Sequence, residues 1–247
     1  MDERLKREIE HGKYLSTHGA GEIWNWTSPA GKLRWKRRVK MLTEHLTAGM
    51  KVLELGCGTG FFTREIVKTG AQVTAIDVSP ELLTQAGREV TAENVVFKVD
   101  NAYEMSFNDD EFDSVIGSSV LHHLDIDRAL AEIFRVLKRG GKACFTEPNM
   151  LNPQIALQKN IPWLKRKLGD SPDETAFVSC SLRRKLREFG FSQIEIKPFD
   201  FLHPAIPGTL LPVLKPLCDL AEKIPVLSLF AGSLCISFLN QNKQERL

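Results

Sequence analysis

Hydrophobic and polar positions change period in a regular way along this chain. Val52-Leu53-Glu54-Leu55 is a short, mostly apolar run, and Phe62 and Ile66 behind it keep a helical spacing up to Gly70. Ala71–Asp77 reads as a second strand. Leu83, Ala86 and Val90 then form a helical stripe that opens on Ser79-Pro80, a cap followed by a proline. Asn94–Val99 and Phe112–Gly117 read as the third and fourth strands. Ile126, Leu130, Ile133 and Leu137 mark another helix, Arg139-Gly140-Gly141 its stop and turn, and Lys142–Glu147 a fifth strand. Strand and helix thus alternate up to about residue 150, which predicts a parallel, doubly wound α/β sheet.

The flanks are less regular. Residues 1–46 read as a helical leader, with Trp24 and Trp26 around Asn25 and a turn at Ser28-Pro29-Ala30-Gly31. A helix is expected over Lys32–Leu46. Trp35, Val39, Leu42 and Leu46 share one face, and Arg34, Lys36, Arg37, Arg38 and Lys40 share the other. That basic face is either solvated or meets an anionic acceptor or a membrane surface. After Glu147, residues 148–178 lose periodicity under Pro153, Pro162 and Pro172, with one short helix near Ile161–Leu168. Ser179–Phe189 reads as a helix, Phe191–Phe199 as a sixth strand and Gly232–Leu239 as a last one. Between them, residues 201–230 are apolar and broken by prolines at 204, 207, 212, 216 and 225, too often for a regular helix. They are expected to cover the acceptor side or to pack on the back of the sheet. The expectation is one domain over 1–247, with a core at 47–147 and insertions at 148–178 and 200–231.

A chain of 247 residues can bury one large α/β core, and a net charge of +2 gives no bulk attraction to nucleic acid. Cys57, Cys144, Cys180, Cys218 and Cys235 form no C-x-x-C pair, which favours a reducing compartment over a disulfide framework or a zinc site. The first ten residues lack the apolar stretch of a signal peptide. Ile224–Leu239, broken by Pro225 and Gly232, falls short of the roughly 20 apolar residues of a membrane span. These features point to a soluble cytoplasmic protein. Nothing in them bears on oligomeric state.

The chemistry concentrates at Gly56-Cys57-Gly58-Thr59-Gly60, with glycine at every second position after the first strand. Glycine lets the backbone take positive φ and approach a ligand closely. A strand, a glycine turn and a helix make a nucleotide-type binding corner at the end of a parallel strand. The dinucleotide fingerprint needs its third glycine where Phe61 stands, and Glu54 is a poor neighbour for phosphate. An acid there suits an amino-bearing or cationic ligand.

Glu54-Leu55-Gly56-Cys57-Gly58-Thr59-Gly60 resembles motif I of the class I S-adenosylmethionine-dependent methyltransferases, whose ligand carries an amino group, a sulfonium and no phosphate. Phe112-Asp113-Ser114-Val115-Ile116 with Leu121-His122-His123-Leu124, and Arg135-Val136-Leu137-Lys138-Arg139-Gly140-Gly141, resemble the branch with the ubiquinone and menaquinone biosynthesis enzymes (methyltransferase type 11). The likeness covers about residues 45–147. It implies a Rossmann-like, seven-stranded, mostly parallel sheet with helices on both faces and helical cap insertions. The antiparallel last strand would lie between the fifth and sixth. It also implies S-adenosylmethionine as cofactor, S-adenosylhomocysteine as product, and a cofactor site at Glu54, Gly56, Cys57, Gly58, Gly60, Asp77, Val78, Asn101, Ala102, Ser118 and His123. Asp77 ends the second strand, where a carboxylate can accept from both ribose hydroxyls; its alternative is to cap the next helix, a task Ser79 can already do. Asn101 stands at the family's adenine-binding acid, with Asp100 beside it as the alternative.

Methyl transfer from a sulfonium is a direct displacement that needs alignment and water exclusion, and a base only if the acceptor demands one. Candidate bases are His122, His123, Glu147 and His203. His122 and His123 are adjacent, so their side chains are expected to diverge, and no carboxylate cluster is seen to complete a metal site. No metal is expected. The leading reading is a methyltransferase for a small-molecule or lipid-like acceptor, with peripheral membrane contact. The alternatives are an RNA or tRNA methyltransferase, supported by Lys165-Arg166-Lys167 and Arg183-Arg184-Lys185-Arg187, and a non-catalytic cofactor-binding protein.

Overall fold

The computed structural model describes residues 3–18, 25–168, 170–171 and 173–241; Trp24 and Pro172 lie outside the described residues. Seven strands form one sheet: β1 (Lys51–Leu55), β2 (Gln72–Asp77), β3 (Val95–Val99), β4 (Phe112–Ser118), β5 (Leu137–Pro148), β6 (Phe191–Phe199) and β7 (Ser233–Asn240). Their spatial order is β3-β2-β1-β4-β5-β7-β6. The first five run parallel, while β7 runs antiparallel to both β5 and β6, as expected of the last strand. Strand order reverses between β1 and β4, so the loops after these two strands diverge and leave a crevice at their carboxyl ends.

Central strands are buried on both faces, which is why β1 and β4 read as apolar runs rather than alternating ones. Leu53, Leu55 and Phe145 point into one core layer, with Leu130 and Ile133 of α5 (Ile126–Val136) and Leu182 and Leu186 of α8 (Ser179–Glu188). Val52 and Cys144 point into the other, with Leu42 of α2 (Pro29–Thr43), Ile66 of α3 (Thr63–Ile66) and Leu83 of α4 (Pro80–Glu89).

Four local readings change. α2 begins at Pro29, because the Ser28 side chain accepts from the Gly31 N–H and proline fits a first helical turn. The first crossover helix shrinks to the four residues of α3 and a following 3₁₀ turn that stops at Gly70, φ +78°. Residues 139–141 belong to β5 and not to a turn before it; they bulge out between the Phe112–Leu137 and Ser114–Lys142 pairs. The insertion after β5 holds two helices, α6 (Pro153–Asn160) and α7 (Pro162–Lys167).

The largest departure is α9 (Leu211–Lys223), a 13-residue helix in the stretch expected to be broken, followed by α10 (Pro225–Ser228). Pro212 and Pro225 occupy first turns, where no intrahelical N–H bond is lost, so only Pro216 interrupts a ladder. Most of the large apolar side chains of this segment are exposed and do not pack on the sheet. Val213, Leu217 and Leu220 are 64%, 57% and 56% exposed. No helix among the described residues is long and apolar enough to cross a membrane.

Candidate active site

The turn after β1 has the backbone that its sequence requires: Gly56, Gly58 and Gly60 sit at φ +63°, +54° and +77°. They serve different ends. A Cβ on Gly58 would meet no atom within 4 Å, so this residue faces open space, whereas one on Gly60 would press on Val90 and Ala86 at 3.1 and 3.2 Å. Gly60 therefore lets α4 close on the turn. Asp77, at the end of β2, accepts from the Gly58 and Ser79 backbone N–H groups, each at 2.9 Å. Burial raises the Asp77 pKa against these bonds. Glu54 lies under the turn, accepting from Thr63 Oγ1 at 2.6 Å, and burial pushes it up to about 7.

Two cavities share the glycine turn. The smaller, about 130 Å³, lies between Gly56, Gly58, Asp77, Val78, Asp100, Ala102 and Ser119 on one side and α1 (Glu3–His18) on the other. The larger, about 470 Å³, runs from Gly56, Cys57, Gly58 and Ser118 to α2 and the insertion after β5. His11, Leu15, Gly56, Gly58, Ser119 and His123 line both.

One wall of the larger cavity is cationic. Arg34 Nε and Arg38 Nη1 both reach Asp200 Oδ2 at 2.7 Å, and Arg38 also donates to Ser233 Oγ at 2.6 Å. Both guanidiniums lie against the Trp26 ring. Burial brings Arg38 down to about 10, and despite its own burial Asp200 is held below the usual carboxylate range by Arg38 and Arg34. The basic face of α2 is thus neither wholly solvated nor an outer edge: its arginines turn inward.

The opposite wall is a histidine–carboxylate cluster. Glu147 accepts from the Val120 and Leu121 N–H groups at 3.0 and 2.9 Å and pairs with His122 Nδ1 at 2.7 Å. Burial raises Glu147 to about 7 and takes His122 well below the ordinary imidazole range, so His122 is neutral. His123 Nδ1 lies 3.1 Å from Glu8 of α1. Burial opposes the charged form of His123, yet Glu8 and Glu174 together raise it. The expected divergence of the two rings is overturned. They tilt together at 4.2 Å, and His122, His123 and Glu174 bring ligand-type atoms within 4.8 Å of one another. Glu174 comes from the insertion, some fifty positions away, which is why no carboxylate was visible nearby. Glu174 is also paired with Lys159, whose Nζ lies 2.6 Å from Glu174 and 2.9 Å from Asp170.

A Methyltransferase domain family matches residues 53–145. The demethylmenaquinone methyltransferase of Tropheryma whipplei (strain Twist) is 31% identical over 196 residues, 70% of this chain and 81% of that protein. The demethylmenaquinone methyltransferase of Thermobifida fusca is 29% identical over 73% of this chain and 85% of its own length. The chain belongs to the S-adenosylmethionine-dependent methyltransferases. In fold, it is similar to the methyltransferase solved in complex with the Haloferax volcanii Trm112 activator. That likeness has a TM-score of 0.72 at 20% identity, covering 97% of this chain and all of the other.

The methyltransferase brings most of the sequence-derived residues to the two cavities: Gly56, Cys57, Gly58, Asp77, Val78, Ala102, Ser118, His122, His123, Glu147 and His203. Glu54 and Gly60 stand behind the turn instead. Asn101 is not on the wall; its side-chain oxygen accepts from the Tyr103 N–H at 3.0 Å, and Asp100 takes the lining position. His203 is held at both ring nitrogens, Nδ1 3.2 Å from the Ala205 N–H and Nε2 3.0 Å from the Gln154 side-chain nitrogen. Sequence reasoning missed Trp26, Arg34, Arg38, Lys159, Glu174 and Asp200 as a group, and α1 as a wall. One signal for α1 was Gly12 inside a helix, where a Cβ would meet Ser79 Cβ at 2.6 Å.

Proposed function

We propose that this methyltransferase modifies a hydroxylated, lipid-like ring of quinol type, working at a membrane surface. The observation that carries this reading is the large cavity itself. It runs from the glycine turn to the aromatic side chains of Trp26, Phe61 and Phe62. A planar ring suits such walls. The relatives named demethylmenaquinone methyltransferases agree with it.

The residues fit S-adenosylmethionine. Gly58 leaves room for a ligand against its backbone, Asp77 suits the ribose hydroxyls, and Asp100 with Ala102 suits the adenine edge better than Asn101 does. Bound there, the cofactor supplies an electrophilic methyl group on a positively charged sulfur. The chain's own part is alignment and exclusion of water, with α1 and the insertion closing over the cavities. His122, neutral and held through Nδ1 by Glu147, presents a hydrogen-bonding ring to the cavity. Neither a metal nor a nucleic-acid acceptor is part of this reading.

Membrane contact rests on Val213, Leu217 and Leu220 of α9, on Val226 of α10 and on Trp163 of α7, all more than half exposed. Lys165, Arg166 and Lys167 adjoin Trp163, the pairing of apolar and basic groups that favours an anionic lipid surface. The test is turnover of menadiol, a naphthohydroquinone with one open ring carbon, presented in anionic vesicles with labelled cofactor. Label in a methylated naphthoquinol supports the reading. A labelled RNA or protein in a lysate, with menadiol untouched, contradicts it.

A further inference from the structure

We propose that Arg34, backed by Arg38 and Asp200, is an oxyanion clamp that holds the acceptor's hydroxyl oxygen as phenolate. This rests on the quinol-type reading above and adds how such an acceptor is activated.

The charges on this wall do not balance. Arg34, Arg37 and Arg38 face two carboxylates, Asp200 and Glu222. Glu222 is fully used: it takes both terminal nitrogens of Arg37 and accepts the Asp200 N–H at 2.8 Å. Asp219 of α9 pairs with Lys215, and His203 is held neutral by burial and by Arg34. Among the described residues one positive charge is left over, on an Arg34 side chain that is 17% exposed beside a buried Arg38. An unpaired cation with so little solvent is costly, and an incoming anion relieves that cost.

Arg34 is the member placed to receive it. Its Nε is spent on Asp200, while its two terminal nitrogens have no hydrogen-bond acceptor among the described residues. The side chain lines the same cavity as Gly58 and lies over the face of Trp26, 5.5 Å from the ring centroid. Its support is rigid: Asp200 holds φ +78°, a conformation that a non-glycine residue keeps only where its surroundings impose it, and Gly232 N–H donates to its carbonyl.

The chemistry follows from charge. A ring hydroxyl within about 4–6 Å of a guanidinium has its pKa lowered by roughly 1–3 units, so the phenolate forms near neutral pH. The hydroxyl proton leaves to water. The electron-rich ring carbon forms its bond to the methyl carbon as the methyl–sulfur bond breaks, with that electron pair staying on sulfur. The ring then loses its carbon-bound proton and the oxygen recovers one, so a single proton is released per transfer.

The test is the ionisation of α-naphthol bound to the protein in the presence of S-adenosylhomocysteine, followed by the phenolate absorbance band. In the unaltered protein the bound naphthol should titrate about 1–3 units below its free value. Arg34→Gln should return it to the free value or above, and Arg34→Lys should keep most of the shift. S-adenosylhomocysteine affinity should be equal in all three. Equal naphthol pKa values in the unaltered protein and Arg34→Gln overturn the clamp but leave the acceptor reading standing. Should Arg34→Gln fail to fold, an unshifted naphthol in the unaltered protein overturns the clamp by itself. Absence of naphthol binding, with S-adenosylhomocysteine still bound, overturns the acceptor reading and the clamp with it.

Discussion

The corner after β1 and the walls of the larger cavity are built in opposite ways. At the corner the deciding bonds are local: Glu54 to Thr63 spans nine residues, and Gly58 to Asp77 spans 19. The walls are tied by bonds between distant segments, 166 residues apart for Arg34–Asp200, 163 for Ser171–Glu8 and 195 for Arg38–Ser233. Backbone conformation and short-range bonds make the first, and side chains paired across distant segments make the second. A local, backbone-made site should lose ligand when it is damaged, and a side-chain wall should lose stability.

The largest effect expected from that contrast is on the wall. Arg38→Met leaves Asp200 buried with Arg34 as its remaining partner. It should cost stability near the low end of the roughly 3–5 kcal/mol seen when one member of a buried ion pair is removed. Urea unfolding measures it, and a change within error would mean that this wall is not structural. At the corner, Asp77→Ala should weaken S-adenosylmethionine binding by about 1–3 kcal/mol in calorimetry, more than it lowers stability. Asn101→Ala should weaken binding less, its side chain being turned to Tyr103. Reversal of that order would reassign the adenine edge.

A smaller effect is the docking of α1, where Glu8, His123 and Glu174 meet. His123 is raised above its ordinary value, so its contribution is complete below about pH 6.5 and fades as pH rises through the raised value. Burial works to raise Glu8 and Glu174, but His123 outweighs it and holds both down, Glu174 to about 2 with help from Lys159. Their contributions are complete above their ordinary value of 4.5 and fade only as pH falls toward those lower values. Hydrogen exchange in α1 should therefore be slowest, after correction for intrinsic rates, between about pH 4.5 and 6.5. It should quicken at pH 8 while the strands stay protected. Because Glu174 is already paired with Lys159, chelator treatment should leave turnover unchanged; loss restored by one divalent ion would contradict this. The smallest stability change, within about 0.5 kcal/mol, belongs to Leu217→Glu on the exposed face of α9. That variant should nevertheless sediment less with anionic vesicles.

The same contrast explains what could be read from the sequence. The sheet, its reversed last strand and the glycine corner announce themselves through period and local spacing, because a parallel strand must be apolar and a tight turn must have glycine. Nothing near Arg34 in the chain says that Asp200 will meet it, so the basic helix face could be read only as solvated or as meeting an anionic acceptor or a membrane. Glu174 was hidden from His122 in the same way. Pro212 and Pro225 were read as breaks, although at first helical turns they are neutral and start α9 and α10. Asn101 was placed by alignment, while its side chain is turned away by the bond from the Tyr103 N–H and Asp100 is held by the Asn101 and Ser106 N–H groups.

The most direct test of the two-walled account is a crystal structure with S-adenosylhomocysteine and a naphthoquinol bound together. The account predicts the nucleoside between Asp77 and Asp100, the sulfur facing the larger cavity, and a ring oxygen on the terminal nitrogens of Arg34. A ring bound outside that cavity, or one whose oxygens all point away from Arg34, would contradict it.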